Sequence, residues 1–477
     1  MKVLHISAEC YPAAKAGGLG DVVGALPKYL NQSNVPSAVV MPKYDLPWIR
    51  NRSTHTVFSD AFYMRNGYYY PFSIEQAHAD ELGFPLYLVH LPGQFDRQGI
   101  YGDARGWFAD NSERFVFFQQ AVLRWVSRVE DKPDLIHCHD HHAGLVPFMM
   151  AHCPEYQSLA HIPTVFTIHN GEYQGSLSWE KSDILPYFPP EAGGLLEWEG
   201  AINPLAAAIK CAWSVTTVSQ TYMEELAHSS SSLDWLFQHE WNKCRGILNG
   251  IDAQMWDPKT DSYLPHHLDS DNDSFKLNNK KELLQRFHFH PEDPVITFIG
   301  RLVREKGADL LPGLIEQVIQ SGLAVNFLIL GTGEPALHEQ LYHLNNRFAG
   351  RVSVILEYNE GLAHQLYAGS DFLIMPSRVE PCGLNQMYAM RYGTIPIVRT
   401  TGGLKDTVSD LRDNPWEGSG FRFDAFERNQ AHQAVWQAYQ LFHAPIKLSE
   451  VRQRIMQLDF SWQHAAHSYI NLYRELT

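Results

Sequence analysis

Short runs of apolar and β-branched residues recur through the first half of the chain, at KVLHIS (2–7), SAVVMP (37–42), LYLVHL (86–91), DLIHCH (134–139), TVFTIH (164–169) and SVTTVS (214–219). Stretches long enough for helices separate them. Near-continuous apolar strands alternating with helices predict a parallel sheet buried on both faces. The same rhythm restarts after a polar, irregular stretch around 253–282 that contains DSDNDS, giving PVITFIGR (294–301), VNFLILG (325–331), VSVILEY (352–358), DFLIMPS (371–377) and TIPIVRT (394–400). Two such series predict an α/β chain of two Rossmann-like, doubly wound domains facing a central cleft. The boundary is expected within ILNGID, with residues 1–248 in one domain and 249–459 in the other, and the polar stretch reads as an insertion in the second.

The last segment, DFSWQHAAHSYINLYREL (459–476), predicts a helix with Ser461 as N-cap and Trp462, Ala466, Tyr469, Ile470 and Tyr473 on one apolar face. The pattern requires this face to dock but does not say on which domain.

At 477 residues the chain exceeds what one hydrophobic core organises, in keeping with two domains. Thirty-eight Lys and Arg against fifty-three Asp and Glu give a formal net charge of −15, which repels nucleic acid and anionic bilayers. Neither is an expected partner, whereas a small anion can still bind a local cluster of cations and backbone N–H groups. No run approaches the ~20 apolar residues of a membrane span, and the apolar run of MKVLHISAEC is too short for a signal-peptide core. The cysteines Cys10, Cys138, Cys153, Cys211, Cys244 and Cys382 show no CxxC spacing, which fits reduced thiols better than disulfides or zinc. The expected compartment is the cytosol, or a plastid stroma after removal of a transit peptide.

The candidate chemistry sits where strands end. Lys15-Ala16-Gly17-Gly18-Leu19-Gly20-Asp21 follows the first strand and leads into a helix, so it reads either as a phosphate-approaching loop or as a plain strand-to-helix turn. Thr401-Gly402-Gly403-Leu404 repeats the glycine pair in the second series. Arg301 ends a strand and Lys306 opens a helix in REKGADL; they either stabilise a leaving diphosphate without a metal or form a solvated surface pair. Glu380-Pro381-Cys382-Gly383-Leu384 places a carboxylate after FLIMPS, where it can hold sugar hydroxyls. Cys382 reads as a packed small residue, because no triad-like histidine and acid follow it. The run His137–His142 suggests a metal at first sight, but satisfied polar groups are the preferred reading, and the expected metal set is none. His169 and Asn170 end the next strand, Asn249-Gly250 is first a turn signal, and Tyr358 is either core or a base-stacking aromatic.

The motifs KAGGL, HCHDHHAG, TIHNGEYQG, ILNGID, GRLVREKG, EPCGLNQMYAMRYGT and TGGLKDTV occur in the order and spacing of the bacterial and plastid glycogen/starch synthases, and the resemblance covers essentially the whole chain. It implies the GT-B glycosyltransferase fold, with helix 460–477 crossing back to the first domain. It implies retaining transfer of glucose from ADP-glucose to an α-1,4-glucan, with no cofactor and no metal. Lys15, His169, Arg301, Lys306 and Glu380 are then the catalytic set. Gly17, Gly18, Asp140, Asn249, Tyr358, Cys382, Gly383, Leu384, Thr401 and Gly402 fall on the donor, and Asp21, Tyr173 and Gln174 on the acceptor side. The chain departs from the family at Ala16, at His141 where HDWH is usual, and at Asn385 where PCGLT is usual.

Rival classes leave different marks. A nicotinamide dehydrogenase needs GxGxxG followed by an acidic residue, which is missing. A phosphorylase would bind pyridoxal phosphate through a lysine, and a non-catalytic glucan or nucleotide-sugar sensor would lose several of the charges that are present here. UDP-glucose as donor, or a small acceptor on the same fold, remain the nearest alternatives.

Overall fold

The apolar runs form strands in a computed structural model that describes residues 1–63, 67–228 and 232–477. The chain divides into two compact units, Met1–Val218 with Met223–Leu248 and Trp462–Thr477, and Ser219–Tyr222 with Asn249–Ser461.

Among the described residues of the first unit, β1 (Val3–Ile6), β2 (Ser37–Pro42), β3 (Thr54–Tyr63), β4 (Tyr69–Ala77), β5 (Leu86–His90), β6 (Leu135–His139), β7 (Thr164–Ile168), β8 (Ser214–Thr217) and β9 (Cys244–Gly246) make one sheet. Its order is β9-β8-β7-β6-β1-β2-β5-β4-β3. Only β4 runs antiparallel to its neighbours β3 and β5. This hairpin falls outside the expected parallel rhythm because β3 is largely exposed and mixes polar with apolar residues, as a strand at a solvated sheet edge does.

The terminal helix Trp462–Leu476 belongs to the first unit. Trp462, Ala466, Tyr469, Ile470 and Tyr473 are all buried, with Ala465 and Leu472, against Val22, Leu26, Tyr29 and Leu30 of helix Gly18–Gln32 and against Val3, Leu135 and Val165 of the sheet. Each large apolar side chain buried here contributes roughly 1.5–3 kcal/mol, so the helix is integral to that core.

In the second unit β10 (Val295–Ile299), β11 (Asn326–Leu330), β12 (Val352–Ile355), β13 (Phe372–Met375), β14 (Ile395–Arg399) and β15 (Phe421–Phe423) form an all-parallel sheet in the order β12-β11-β10-β13-β14-β15. This is the Rossmann order, with its reversal between β10 and β13. The stretch 253–282 is not the irregular insertion expected. Trp256 and Leu264 lie in the unit's core, and helix Asn272–Phe287 starts inside DSDNDS. The Asp271 carboxylate accepts the N–H groups of Asp273 and Ser274 at 3.1 and 3.2 Å, so what looked like a polar linker is a helix cap. Leu283 of this helix packs on Leu362 and Leu366. No helix among the described residues is long and apolar enough to cross a membrane.

Candidate functional site

The strand order of the first unit reverses between β1 and β6, so the loops leaving β1, β6 and β7 share one edge of the sheet. The β1 loop folds around Glu9, which the sequence pattern does not mark. Its Oε2 accepts the N–H groups of Ala16 at 2.6 Å and Gly17 at 3.1 Å, and its Oε1 accepts the Tyr101 hydroxyl at 2.6 Å. Burial raises the Glu9 pKa above the ordinary carboxylate value, and those three bonds oppose the rise. The clamp fixes the turn that carries Lys15, whose ammonium pairs with Asp21 at 2.7 Å.

Gly17 caps helix Gly18–Gln32. A Cβ added at Gly17 or Gly18 would meet nothing within 4 Å, whereas one at Gly24 would strike the Tyr11 carbonyl at 2.5 Å. The packing of the protein itself therefore does not require glycine at 17 and 18, and the backbone there is left open to close approach. Gly18→Ala is expected to keep or raise Tm, since alanine is the better helix former, while kcat/KM falls about tenfold to a hundredfold. Thermal melts alongside initial rates check this; an unchanged kcat/KM removes Gly18 from the site.

Asp140 follows β6 with φ +55° and ψ 176°, a conformation that non-glycine residues rarely hold and that clusters at functional sites. Its Oδ1 accepts the His169 N–H at 2.7 Å, and the Asn170 N–H also bonds to this carboxylate. Burial pushes the Asp140 pKa up to about 7 against these bonds, and burial pushes the His169 imidazole down to about 3, leaving it neutral.

For stability the sign follows directly. Between the unfolded value of about 4 and the folded value only the unfolded chain loses the proton, so stability falls as pH rises through that window and levels off above it. Asp140→Asn is expected to gain Tm over the parent at about pH 8 more than at about pH 5, and to lose turnover. A Tm difference that does not change with pH would contradict the raised pKa.

The His141 ring lies against Gly175, where a Cβ would come within 2.3 Å of it, and burial takes its pKa down to about 4. Gln174 Oε1 accepts from Asn203 Nδ2 at 2.6 Å and so braces the loop after β7. Tyr173 is 50% exposed and Trp107, which carried no sequence signal, is 70% exposed, with ring centroids 6.2 Å apart. Trp107 in turn stacks on Tyr101 at 6.0 Å.

In the second unit the loops after β10 and β13 meet at that sheet's reversal. Lys306 Nζ lies 2.7 Å from Glu380 Oε1 and 3.7 Å from Glu305 Oε1. Ser377 donates to Glu380 Oε2 at 2.9 Å, and Arg301 Nη2 sits 3.2 Å from Glu305 Oε2. The two cations are thus gathered through Glu305, which sequence reasoning did not single out because an i,i+4 charge pair looks like an ordinary solvated surface. Asn385 Nδ2 donates to the Ile299 carbonyl at 2.7 Å and ties its helix to the end of β10.

The two glycine pairs are not equivalent, although they read alike in the sequence. A Cβ on Gly402 would meet the Glu380 carbonyl oxygen at 2.0 Å, one on Gly403 the Cys382 carbonyl oxygen at 1.9 Å, and the Gly403 N–H donates to Glu380 O at 3.0 Å. Backbone packing explains this pair. Gly383 holds φ +70°, Leu384 precedes helix Asn385–Arg391, and Thr401 is the buried N-cap residue of helix Gly402–Thr407. Burial takes the Cys382 thiol up to about 12, which suits packing and not nucleophilic attack. Asn249 is buried with its Oδ1 lacking a partner among the described residues. Tyr358 lies beyond the end of β12 and is 83% exposed, so it is not a core residue.

Two Rossmann-like sheets, one carrying buried carboxylates and a neutral histidine at its reversal and the other a Lys–Glu–Ser cluster beside an exposed arginine, define a GT-B glycosyltransferase. Residues 2–239 match the starch synthase catalytic domain family and residues 279–449 the glycosyl transferases group 1 family. The chain belongs to the glycogen/starch synthase family. It is 44% identical to the glycogen synthase of Flavobacterium johnsoniae over 475 residues, 99% of this chain and 98% of that one. It is 38% identical to the Myxococcus xanthus glycogen synthase over 487 residues, covering 100% and 99% of the two chains. The catalytic domain of starch synthase IV from Arabidopsis thaliana, solved with ADP and acarbose, superposes with a TM-score of 0.85 at 32% identity over 99% of both chains. A sucrose-phosphate synthase from Thermosynechococcus elongatus, 18% identical with a TM-score of 0.60 over 100% of this chain and 98% of that one, shares the fold. The family and the GT-B architecture expected from the motifs are borne out.

Proposed function

We propose that the chain elongates an α-1,4-glucan in the cytosol by moving glucose from ADP-glucose to the non-reducing 4-hydroxyl, with retention and without a metal or cofactor. The observation that carries this reading is the Lys306–Glu380–Ser377 cluster with Arg301 at the carboxyl edge of β10 and β13. Fixed cations there stabilise the charge that develops on a departing diphosphate. The bond between C1 and the diphosphate oxygen breaks, the bond from C1 to the acceptor O4 forms on the same face through a short-lived oxocarbenium-like ion pair, and the 4-hydroxyl proton passes to the diphosphate. Asp140 and His169 hold sugar hydroxyls. The exposed rings of Trp107 and Tyr173 suit the apolar faces of glucan sugars. ADP as the base-bearing product is supported by the ADP in the starch synthase IV structure. Incubating the protein with maltooligosaccharide and ADP-glucose or UDP-glucose, with and without EDTA, tests it. EDTA-insensitive chain extension with ADP-glucose is expected; extension with UDP-glucose alone transfers the assignment to the other donor, and diphosphate release without extension overturns the glucan acceptor.

A further inference from the structure

Three histidines line up across adjacent strands of the first unit. His139 Nδ1 lies 3.1 Å from His169 Nε2, and His139 Nε2 lies 3.0 Å from His5 Nδ1. All three rings are buried, and His5 Nε2, at the inner end of the row, has no hydrogen-bond partner among the described residues. His137 stands beside the row but outside it, with its ring nitrogens bonded to the Tyr473 hydroxyl at 2.7 Å and to Thr167 Oγ1 at 2.6 Å.

His5, His137 and His139 each bring a ligand nitrogen within 4.8 Å of the others, a spacing a cation can use. Both nitrogens of His137, both of His139 and Nδ1 of His5 already have protein partners, so a cation would have to displace bonds that satisfy buried groups. The observations favour a hydrogen-bonded row over a metal centre.

We infer that His5 and His139 are positioning residues that fix the tautomer of His169, so that its proton sits on Nδ1 and that nitrogen acts as a donor. The inference rests on the reading that His169 touches the glucosyl group. Burial holds all three rings neutral, since it lowers each imidazole pKa far below the ordinary value. Each ring then has one N–H and one lone pair, and the two bonds must run in the same direction. If His169 donated inward, the row would end in a buried, orphaned N–H at His5 Nε2. If His5 donates outward from Nδ1, His139 donates from Nδ1 to His169 Nε2, and the inner end is only an unpaired lone pair. Orphaned buried N–H groups are the rarer and costlier outcome. The outward direction leaves His169 with its proton on Nδ1, and the far partner sets which nitrogen is free.

The test is a long-range ¹⁵N–¹H correlation spectrum of the full chain labelled at histidine, with His169 signals identified by their loss in His169→Ala. The parent protein is expected to show His169 as the Nδ1-protonated neutral tautomer, unchanged from about pH 6 to about pH 8. His5→Asp, whose carboxylate accepts at the Nδ1 position and so draws the His139 proton to Nε2, is expected to shift His169 toward the Nε2-protonated form and to lower kcat about tenfold to a hundredfold. His5→Asn, whose amide N–H falls near the Nδ1 position, is expected to restore the tautomer and most of the turnover. An Nε2-protonated His169 in the parent overturns the inference without any variant, so poor folding of His5→Asp does not shelter it. A His5→Asp protein with unaltered His169 signals also overturns it. Full turnover in His169→Ala would instead remove His169 from the sugar while leaving the tautomer result standing.

Discussion

Lys306→Ala is expected to lower kcat about a thousandfold, the upper range for removing one fixed group that stabilises developing charge, with a much smaller change in KM for the donor. In the proposed mechanism the lysine carries its charge to the departing diphosphate, held between Glu380 at 2.7 Å and Glu305 at 3.7 Å. Those carboxylates hold the ammonium in place before substrate arrives, so its orientation costs nothing at the moment of reaction. Removing it also strands the buried Glu380 carboxylate, and a stranded buried charge destabilises by roughly 3–5 kcal/mol. The two effects separate in Lys306→Ala/Glu380→Gln, where the amide keeps the Ser377 bond without a charge. That double variant is expected to recover Tm but not turnover. Lys306→Arg is expected to be intermediate, since a planar fork does not reproduce a point charge. Single-turnover rates and melts of the four proteins decide the matter; recovery of kcat in the double variant would mean that Lys306 only neutralises Glu380.

Charge clusters of this kind were partly legible in the sequence, and the reason is local. Arg301, Lys306 and Glu380 stand out because each follows an apolar strand, where a parallel sheet delivers its loops to one edge. The strands themselves were legible for the same reason: residues such as Val295, Phe327 and Leu373 are buried, and buried parallel strands leave no polar face to blur the pattern. The terminal helix was legible from one apolar stripe. What stayed hidden depends on partners far along the chain. Glu9 is marked only by Tyr101 and by a loop turning back on it, and His5 only by His139, more than a hundred residues away. The cap at Asp271 looked like a linker because capping and linker residues share one polar alphabet. The glycine pairs read alike in sequence, and only the backbone packed against Gly402 and Gly403 distinguishes them.

Glu9→Ala is expected to cost about a hundredfold to a thousandfold in kcat/KM. Among the described residues the carboxylate is the sole acceptor for the N–H groups of Ala16 and Gly17, and it also receives the Tyr101 hydroxyl. Each donor left without a partner in a partly buried site costs roughly 1–3 kcal/mol, enough to let the loop leave its present conformation. Lys15, Gly17 and Gly18 then lose their place, and a displacement of about 1 Å in a positioned group is worth about a hundredfold in rate. Tyr101 loses its anchor together with Trp107, which stacks on it, so KM for a maltooligosaccharide acceptor is expected to rise as well. Glu9→Gln sets the control. Its amide oxygen still accepts the two N–H groups, and the Tyr101 hydroxyl can turn to accept from the amide nitrogen, so activity within about tenfold of the parent is expected. Steady-state kinetics varying donor and acceptor separately distinguish the outcomes. If Glu9→Ala and Glu9→Gln lose activity equally, the ionised carboxylate itself takes part in the reaction and the clamp is not its role; if neither loses activity, the loop is held by something other than Glu9.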